Sequence, residues 1–443
     1  MNVTKSAPNH YKIICVGCHS DVSGAGYGVR CGCGNALSRT VYQDTRLEVT
    51  AQENMWRFAA WLPTADTLPI RGRSVTYKSE EFARELGLKE LFISFNGYWP
   101  EKNAFLETCS FKELESPPTV QRAVENKVKT LVVSSVGNTA RAFAHTVSTT
   151  STELNLVLVG LESAAGKLWL PEPPSENITL VLLERGNDYS DAISLGNRLT
   201  TLPGLVAEGG AMNVARRDGM GTVVLEAAIT IGRAPDHYFQ AVGSGTGGIA
   251  AWEASLRLKK DGRFVKDHLP KLHLSQNLPF VPMFSAWSAN RRTIEPFIDM
   301  PDATESIKKL YADVLSNRNP AYAIKGGVFD ALKDTGGQMY AVSSNDAKGA
   351  ARLFEDHEGI DIVPAAAVAT ASLMHAVANG SINDSDVVLL NVSGGGVRLV
   401  KEDKECYPIR PAIRIARPDG DLAELQEVLT RRRRIIDSRR RNG

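Results

Sequence analysis

"DHYFQAVGSGTGGIAAWEASL", residues 236–256, runs from an apolar, aromatic stretch through a turn in which four of six residues are glycine, and then into a helix-forming stretch. A strand that turns through glycines directly into a helix is the building unit of parallel-sheet proteins. Glycines let the backbone aim several N–H groups at one point, and the helix N-terminus adds positive potential there. Gly243, Ser244, Gly245, Thr246 and Gly247 therefore form a candidate phosphate cradle. The spacing also satisfies the dinucleotide pattern G-x-G-x-x-G, which needs a carboxylate at the end of the next strand, about 20 residues on. Here that strand, "KLHLSQN" (271–277), ends in Gln276 and Asn277. A single phosphate is the better reading, set against the plainer one of a tight strand–helix turn.

The same theme extends outward in both directions. "KTLVVSS" (129–135) ends in a Gly137–Asn138 turn before the helix-spaced "TARAFAHTVSTT", and "LNLVLVG" (154–160), "ITLVLLE" (178–184) and "DVVLLNVSGGG" (386–396) are further strands. A helical stretch follows at 190–201. Strands interleaved with helices predict an α/β fold with parallel sheets covered on both faces, whose ligands bind beyond the strands' carboxyl ends. Two more exits are then candidate loops. In 134–142 the N–H groups and hydroxyls of Ser135, Gly137 and Thr139 suit a carboxylate, and the Asn138 amide suits a ring hydroxyl, although a helix cap explains them equally well. In 389–396, Ser393 would place a hydroxyl on the floor of a pocket.

Bulk properties exclude several classes. The 443 residues are 43% hydrophobic and 23% charged, ordinary for a globular chain large enough for two folding regions. No apolar run approaches the ~18 residues of a membrane span. The first residues lack the apolar core of a secretory signal, so the expectation is a cytoplasmic protein without a membrane partner. "RRRRIIDSRRRNG" (431–443) carries seven arginines against one aspartate in a chain of net charge +1. It reads as a solvated, disordered tail, and a nucleic-acid partner is disfavoured without stacking aromatics. Four of the six cysteines, Cys15, Cys18, Cys31 and Cys33, lie in two turn-like pairs around a Gly-rich hairpin. That arrangement fits either a tetrahedral thiolate site for zinc or a small ribbon of reduced thiols, and its C-x-C second pair strains the usual knuckle.

A lysine in "LETCSFKELE" (106–115) completes a set. One lysine is by default a solvated charge. Pyridoxal phosphate, however, needs an amine for its aldehyde, a cradle for its phosphate and a partner for its pyridine nitrogen. Lys112, loop 243–247, Ser393 and Asn138 supply those needs and a contact to the ring hydroxyl.

At these residues the chain resembles the fold-type II pyridoxal-phosphate enzymes of the threonine synthase group, and within it the branch that forms L-cysteate. The resemblance spans about residues 56–410 and rests on "FNGYWPEKNAFLETCSFKELE", "GNTARAFAH", "KLWLPEPP", "GNDYSDAI", "EGGAMNVARRDGMGT", "PDHYFQAVGSGTGGIAAWEASLRL" and "LPFVPMFSAW". It implies a tryptophan synthase β-like fold: two α/β domains around a cleft, behind a small Cys-rich N-terminal ribbon. The expected organisation is a ribbon at 1–45, a large cofactor domain at 46–120 and 210–410, a small mobile domain at 121–209 and a C-terminal segment at 411–443.

The resemblance implies that Lys112 carries the cofactor, Asn138 contacts its ring oxygen, residues 243–247 hold its phosphate and Ser393 faces its pyridine nitrogen. Ser135, Gly137 and Thr139 would hold the substrate carboxylate, and Asn213 and Arg216 its phosphate. Arg217 is expected to matter less. Arg141 and His145, in the first turns of the next helix, are candidates for drawing in an anionic nucleophile. The implied reaction is β-replacement on O-phospho-L-serine by sulfite, in a homodimer. The alternatives are threonine synthesis from O-phosphohomoserine, whose one extra methylene a pocket discriminates by only ~1–3 kcal/mol, and a non-catalytic phosphate- or nucleic-acid-binding protein.

Overall fold

The computed structural model describes residues 10–442, apart from 29, 30, 35, 136, 266 and 421. Residues 1–9 of the expected ribbon and residue 443 of the tail lie outside the described residues. Two sheets dominate. The larger has six strands in the order Gln338–Val342, Lys271–Asn277, His237–Ala241, Val387–Val392, Glu90–Phe95 and Val75–Lys78. Only the last pairing is antiparallel. The smaller sheet is parallel throughout, in the order Leu205–Ala207, Thr130–Ser134, Asn155–Leu161, Ile178–Leu183 and Pro411–Ile415.

The sequence explains this choice directly. Ile178–Leu183 is apolar at every position but Thr179 and buried on both faces, as parallel strands between two helical layers must be. In the smaller lobe, Phe143 and Val147 from Asn138–Thr149 cover one face, and Leu195 and Leu199 from Tyr189–Leu199 cover the other. In the larger lobe, helices Val214–Ile231 and Thr246–Asp261 pack on one face and Pro364–Ala378 and Ser344–Glu358 on the other. No described helix is long and apolar enough to cross a membrane.

The Cys-rich start is a two-stranded ribbon, Tyr11–Cys15 against Ser38–Tyr42. It is riveted to the large lobe by polar contacts. Thr40 and Tyr42 donate hydroxyl bonds to Asp218 at 2.6 and 2.7 Å, and the fully buried Arg217 reaches the Ser38 carbonyl and Glu253. Arg217 is thus a structural strut between the ribbon and the large lobe.

Two expectations about the C-terminal segment need correcting. Pro411–Ile415 is the edge strand of the small lobe, paired in parallel with Ile178–Leu183. Beyond it, the expected disordered tail is a helix, Ala423–Asn442. Leu422, Leu425, Val428 and Leu429 fall at helical spacing and seat its first turns on the small lobe, with Leu425 completely buried. That apolar stripe lies just before the arginine run and outweighs it.

Candidate active site

Three parallel strands end at one cleft. Thr130–Ser134 leads to Ser135, Gly137 and Thr139; His237–Ala241 leads to Gly243–Gly247; Val387–Val392 leads to Ser393. All of these line the same cavity, together with Asn138, Lys112 and Arg216. Lys112 arrives differently, on one turn of 3-10 helix, Phe111–Leu114, whose cap Ser110 accepts the Lys112 N–H at 3.3 Å. The Phe111 N–H donates to the Ser393 carbonyl at 3.0 Å, which ties the lysine segment to the strand end. Behind it lies Gly219 of Val214–Ile231, where a Cβ would sit 2.1 Å from the Leu114 carbonyl oxygen. Only glycine permits that helix to approach so closely.

The Lys112 side chain is 18% exposed. Burial pushes its amine below the usual lysine value, and the Arg216 charge acts in the same direction while Glu115 opposes both. A depressed lysine opening into a cleft is suited to nucleophilic and general-base work.

The glycine loop is held as bare backbone. Gly245 has φ +82°, and a Cβ there would lie 2.3 Å from Val328 Cγ2; one on Gly247 would lie 2.1 Å from Gln240 Nε2. The Ser244 and Thr246 hydroxyls are 2.8 Å apart at the start of the 16-residue helix Thr246–Asp261. Backbone N–H groups, two hydroxyls and a helix N-terminus are together suited to a phosphate. Ser393 is 5% exposed and offers a neutral hydroxyl. A perturbed amine, a glycine-rich cradle with two hydroxyls and a neutral hydroxyl at Ser393 in one cleft fit pyridoxal phosphate.

Arg216 carries the densest charge in the site. Its Nε donates to Glu115 Oε2 at 3.0 Å, its Nη1 to Glu208 Oε2 at 2.7 Å and its Nη2 to Thr139 Oγ1 at 3.3 Å. Burial would weaken the guanidinium's hold on its proton, but the two carboxylates more than reverse this, so it stays charged. Burial pushes the Glu208 carboxyl up, and one of its oxygens, Oε1, has no hydrogen-bond partner. Glu115 is completely buried, and its Oε2 also lies 3.5 Å from Lys112 Nζ. The sequence reading missed both glutamates. Glu115 is three residues from Lys112 in "FKELE", the one local signal that could have found it.

Three expected residues are not brought to the cleft. Asn213 caps Val214–Ile231 by accepting the Ala215 N–H at 3.0 Å, while its amide donates to Tyr27 Oη and the Glu208 carbonyl. Arg141 turns away beneath the loop. It donates to the Thr108 carbonyl at 2.7 Å and to Asn138 Oδ1 at 3.0 Å, and stacks 4.5 Å from the Trp169 ring. His145 lies between Glu172 at 2.8 Å and Glu113 at 3.4 Å. Each of these polar side chains is consumed by neighbouring groups before it reaches the cleft.

In the ribbon, Cys15, Cys18, Cys31 and Cys33 converge. Their sulfurs all lie within 4.8 Å of one another, with Cys15–Cys33 at 3.5 Å and Cys18–Cys31 at 3.3 Å. Four thiols around one point are the donor set of a structural zinc site, in which Zn–S bonds of about 2.3 Å separate the sulfurs by a little under 4 Å.

Comparison with known proteins agrees with this geometry. The family model described as "Pyridoxal-phosphate dependent enzyme" matches residues 71–394. A cysteate synthase of Methanosarcina barkeri is 52% identical over 417 residues, 94% of this chain and 99% of that protein. Those of Methanosarcina acetivorans and Methanocella paludicola are 54% and 50% identical, over 90% and 95% of this chain and 95% and 97% of their own. Among solved structures, maize serine racemase superposes with a TM-score of 0.53 at 14% identity, covering 75% of this chain and 91% of its own. A pyridoxal 5'-phosphate-dependent aspartate racemase gives 0.55 at 15%, covering 74% and 92%. At such identities the structural likeness is one of fold.

Proposed function

This chain belongs to the pyridoxal-phosphate dependent enzymes, and from that premise we propose that it is a cysteate synthase: it replaces the phosphate of O-phospho-L-serine with sulfite to give L-cysteate. The observation that carries the reading is that Arg216 and Lys112 share one carboxylate oxygen in the same cleft. A cation fixed beside the reactive amine suits a substrate whose leaving group is a dianion.

Lys112 would hold the cofactor, loop 243–247 its phosphate, Asn138 its ring oxygen and Ser393 its pyridine nitrogen. Bound pyridoxal phosphate supplies an electron-accepting ring conjugated to the substrate's Cα. The chain supplies the rest. The N–H groups of Ser135, Gly137 and Thr139 and the Ser135 hydroxyl hold the substrate carboxylate. Lys112 Nζ, its basicity lowered by burial, takes the Cα proton and later returns it. Arg216 draws the phosphate off Cβ, a contact that strengthens as charge builds on the leaving oxygen and so acts mainly on the transition state. Ser393 would face the pyridine nitrogen with a neutral hydroxyl, a partner that would not supply it with a full positive charge.

The lobe built on residues 121–209 is proposed to close over the bound substrate, in a cytoplasmic homodimer. Zinc is proposed on the four cysteines as a structural ion; metal analysis of protein purified without chelator should approach one zinc per chain. The test of function is a product assay. O-phosphoserine with sulfite should yield L-cysteate and phosphate, and borohydride should fix the cofactor to Lys112. Threonine formed from O-phosphohomoserine, with no cysteate from O-phosphoserine, would overturn the reading.

A further inference from the structure

We infer that Glu115 is a positioning residue that releases Arg216 to the leaving phosphate at the moment Lys112 takes up the substrate's Cα proton. This rests on the reading just given for Lys112 and Arg216. The geometry behind it is the sharing of one oxygen. Glu115 Oε2 accepts the Arg216 Nε–H at 3.0 Å and lies 3.5 Å from Lys112 Nζ, while Oε1 accepts the Thr139 hydroxyl at 3.1 Å. The residue is wholly buried, so water does not compete for either oxygen. Arg216 meanwhile has a second buried carboxylate, Glu208, at 2.7 Å.

Two carboxylates on one guanidinium leave little attraction for a third anion. In this arrangement Arg216 is a weak phosphate site unless one carboxylate finds another cation. Lys112 is that cation, but only when protonated. In the elimination step the Cα–H bond breaks, the proton goes to Lys112 Nζ and the electron pair forms the Cα=Cβ bond. The Cβ–O bond breaks with its pair departing on phosphate. Positive charge on Lys112 and negative charge on phosphate therefore appear together. Glu115, already beside Nζ, pairs with the new ammonium, and the field of Arg216 turns to the phosphate. Charge interactions of this kind count for far more in a water-excluded site than at a surface. Thr139, in the loop proposed for the substrate carboxylate, holds Glu115 from the other side and Arg216 Nη2 at 3.3 Å, so a seated carboxylate also fixes the relay.

The arrangement predicts an unusual split in one variant. Glu115→Gln removes a competing carboxylate from Arg216 while keeping the side chain's shape. In the holoenzyme, titration calorimetry should show inorganic phosphate binding about tenfold tighter, because one of two charges opposing it is gone. Steady-state turnover of O-phosphoserine should fall about 10²-fold in kcat with no rise in KM, the scale of losing one preorganised charge contact. Glu115→Asp, which keeps the charge, should return phosphate affinity toward the original value and recover part of kcat. A merely structural residue would weaken phosphate binding and turnover together in both variants, and that result, or an unchanged kcat in Glu115→Gln, overturns the inference. The phosphate titration needs no turnover, so it judges Glu115 even where the substrate proves to be another phosphorylated amino acid.

Discussion

His145 shows at the scale of one residue how partners defeat burial. Burial alone would strip its proton, but the carboxylates of Glu113 and Glu172 push its pKa up to about 10 from the ordinary 6.5. The folded chain thus holds this proton more tightly than the unfolded chain. The resulting stability is complete below about pH 6.5 and is lost as the pH rises toward 10. In urea melts, the gap between the parent and His145→Gln should be widest near pH 6 and should shrink steadily by pH 10; a gap independent of pH would show His145 to be neutral in the fold. At this scale the sequence was legible where a residue's placement in the cleft rests on a local string. Lys112 in "CSFKE", Ser393 after its strand and the glycines at 243–247 each stand where a short motif puts them. Glu208 was passed over and Asn213 misread: Asn213 is a helix cap on Ala215, and Glu208 pairs with Arg216 eight residues on. Tyr27 of the ribbon approaches both, and no local spacing announces it. Arg141 was misread for the same reason, since Trp169 and the Thr108 carbonyl come from distant segments.

Among elements, the strand–loop–helix unit at 237–261 is the most constrained. Gly245 combines a left-handed backbone with a side-chain wall, Val328, on the far side of its missing Cβ. Val328 opens the helix Val328–Thr335, and its N–H donates to Ala321, whose own N–H donates to the Ser244 carbonyl at 3.0 Å. Gly245→Ala should therefore shift both segments. We expect at least a tenfold loss of pyridoxal phosphate affinity, read as cofactor lost on dialysis, since φ strain and a clash each cost on the order of 1 kcal/mol or more. Adding Val328→Ala removes the clash but not the strain and should restore affinity only in part; full retention in Gly245→Ala would mean the loop is not the cradle. The alternating strands and helices were readable because the buried parallel strands Thr130–Ser134, Asn155–Leu161, Ile178–Leu183 and Val387–Val392 are predominantly apolar runs bounded by turns. The final helix was not, because seven arginines obscure the four apolar residues ahead of them that decide its seating.

At the scale of the whole molecule, the two lobes are not sequential beads. The small sheet is begun by Thr130–Ser134 and finished by Pro411–Ile415, and most of the large lobe is threaded between. Removing residues 411–443 should thus harm the small lobe first. The edge of Ile178–Leu183 would lose its partner and Ile413 and Leu425 would leave the core, exposing a flat apolar strand of the kind that aggregates. Faster proteolysis within 130–207 than elsewhere, with the cofactor loop still protected, is the expected pattern; uniform cleavage would show that the edge strand is dispensable. The same threading has a consequence for the living cell. A ribosome that has just emitted Leu183 must still make about 230 residues before it reaches Pro411. At roughly 5–20 residues per second, that strand waits on the order of 10–50 s with one edge bare. The nascent chain is therefore most in need of a chaperone during the middle of its own translation, after the small sheet has formed and before the last strand arrives to close it.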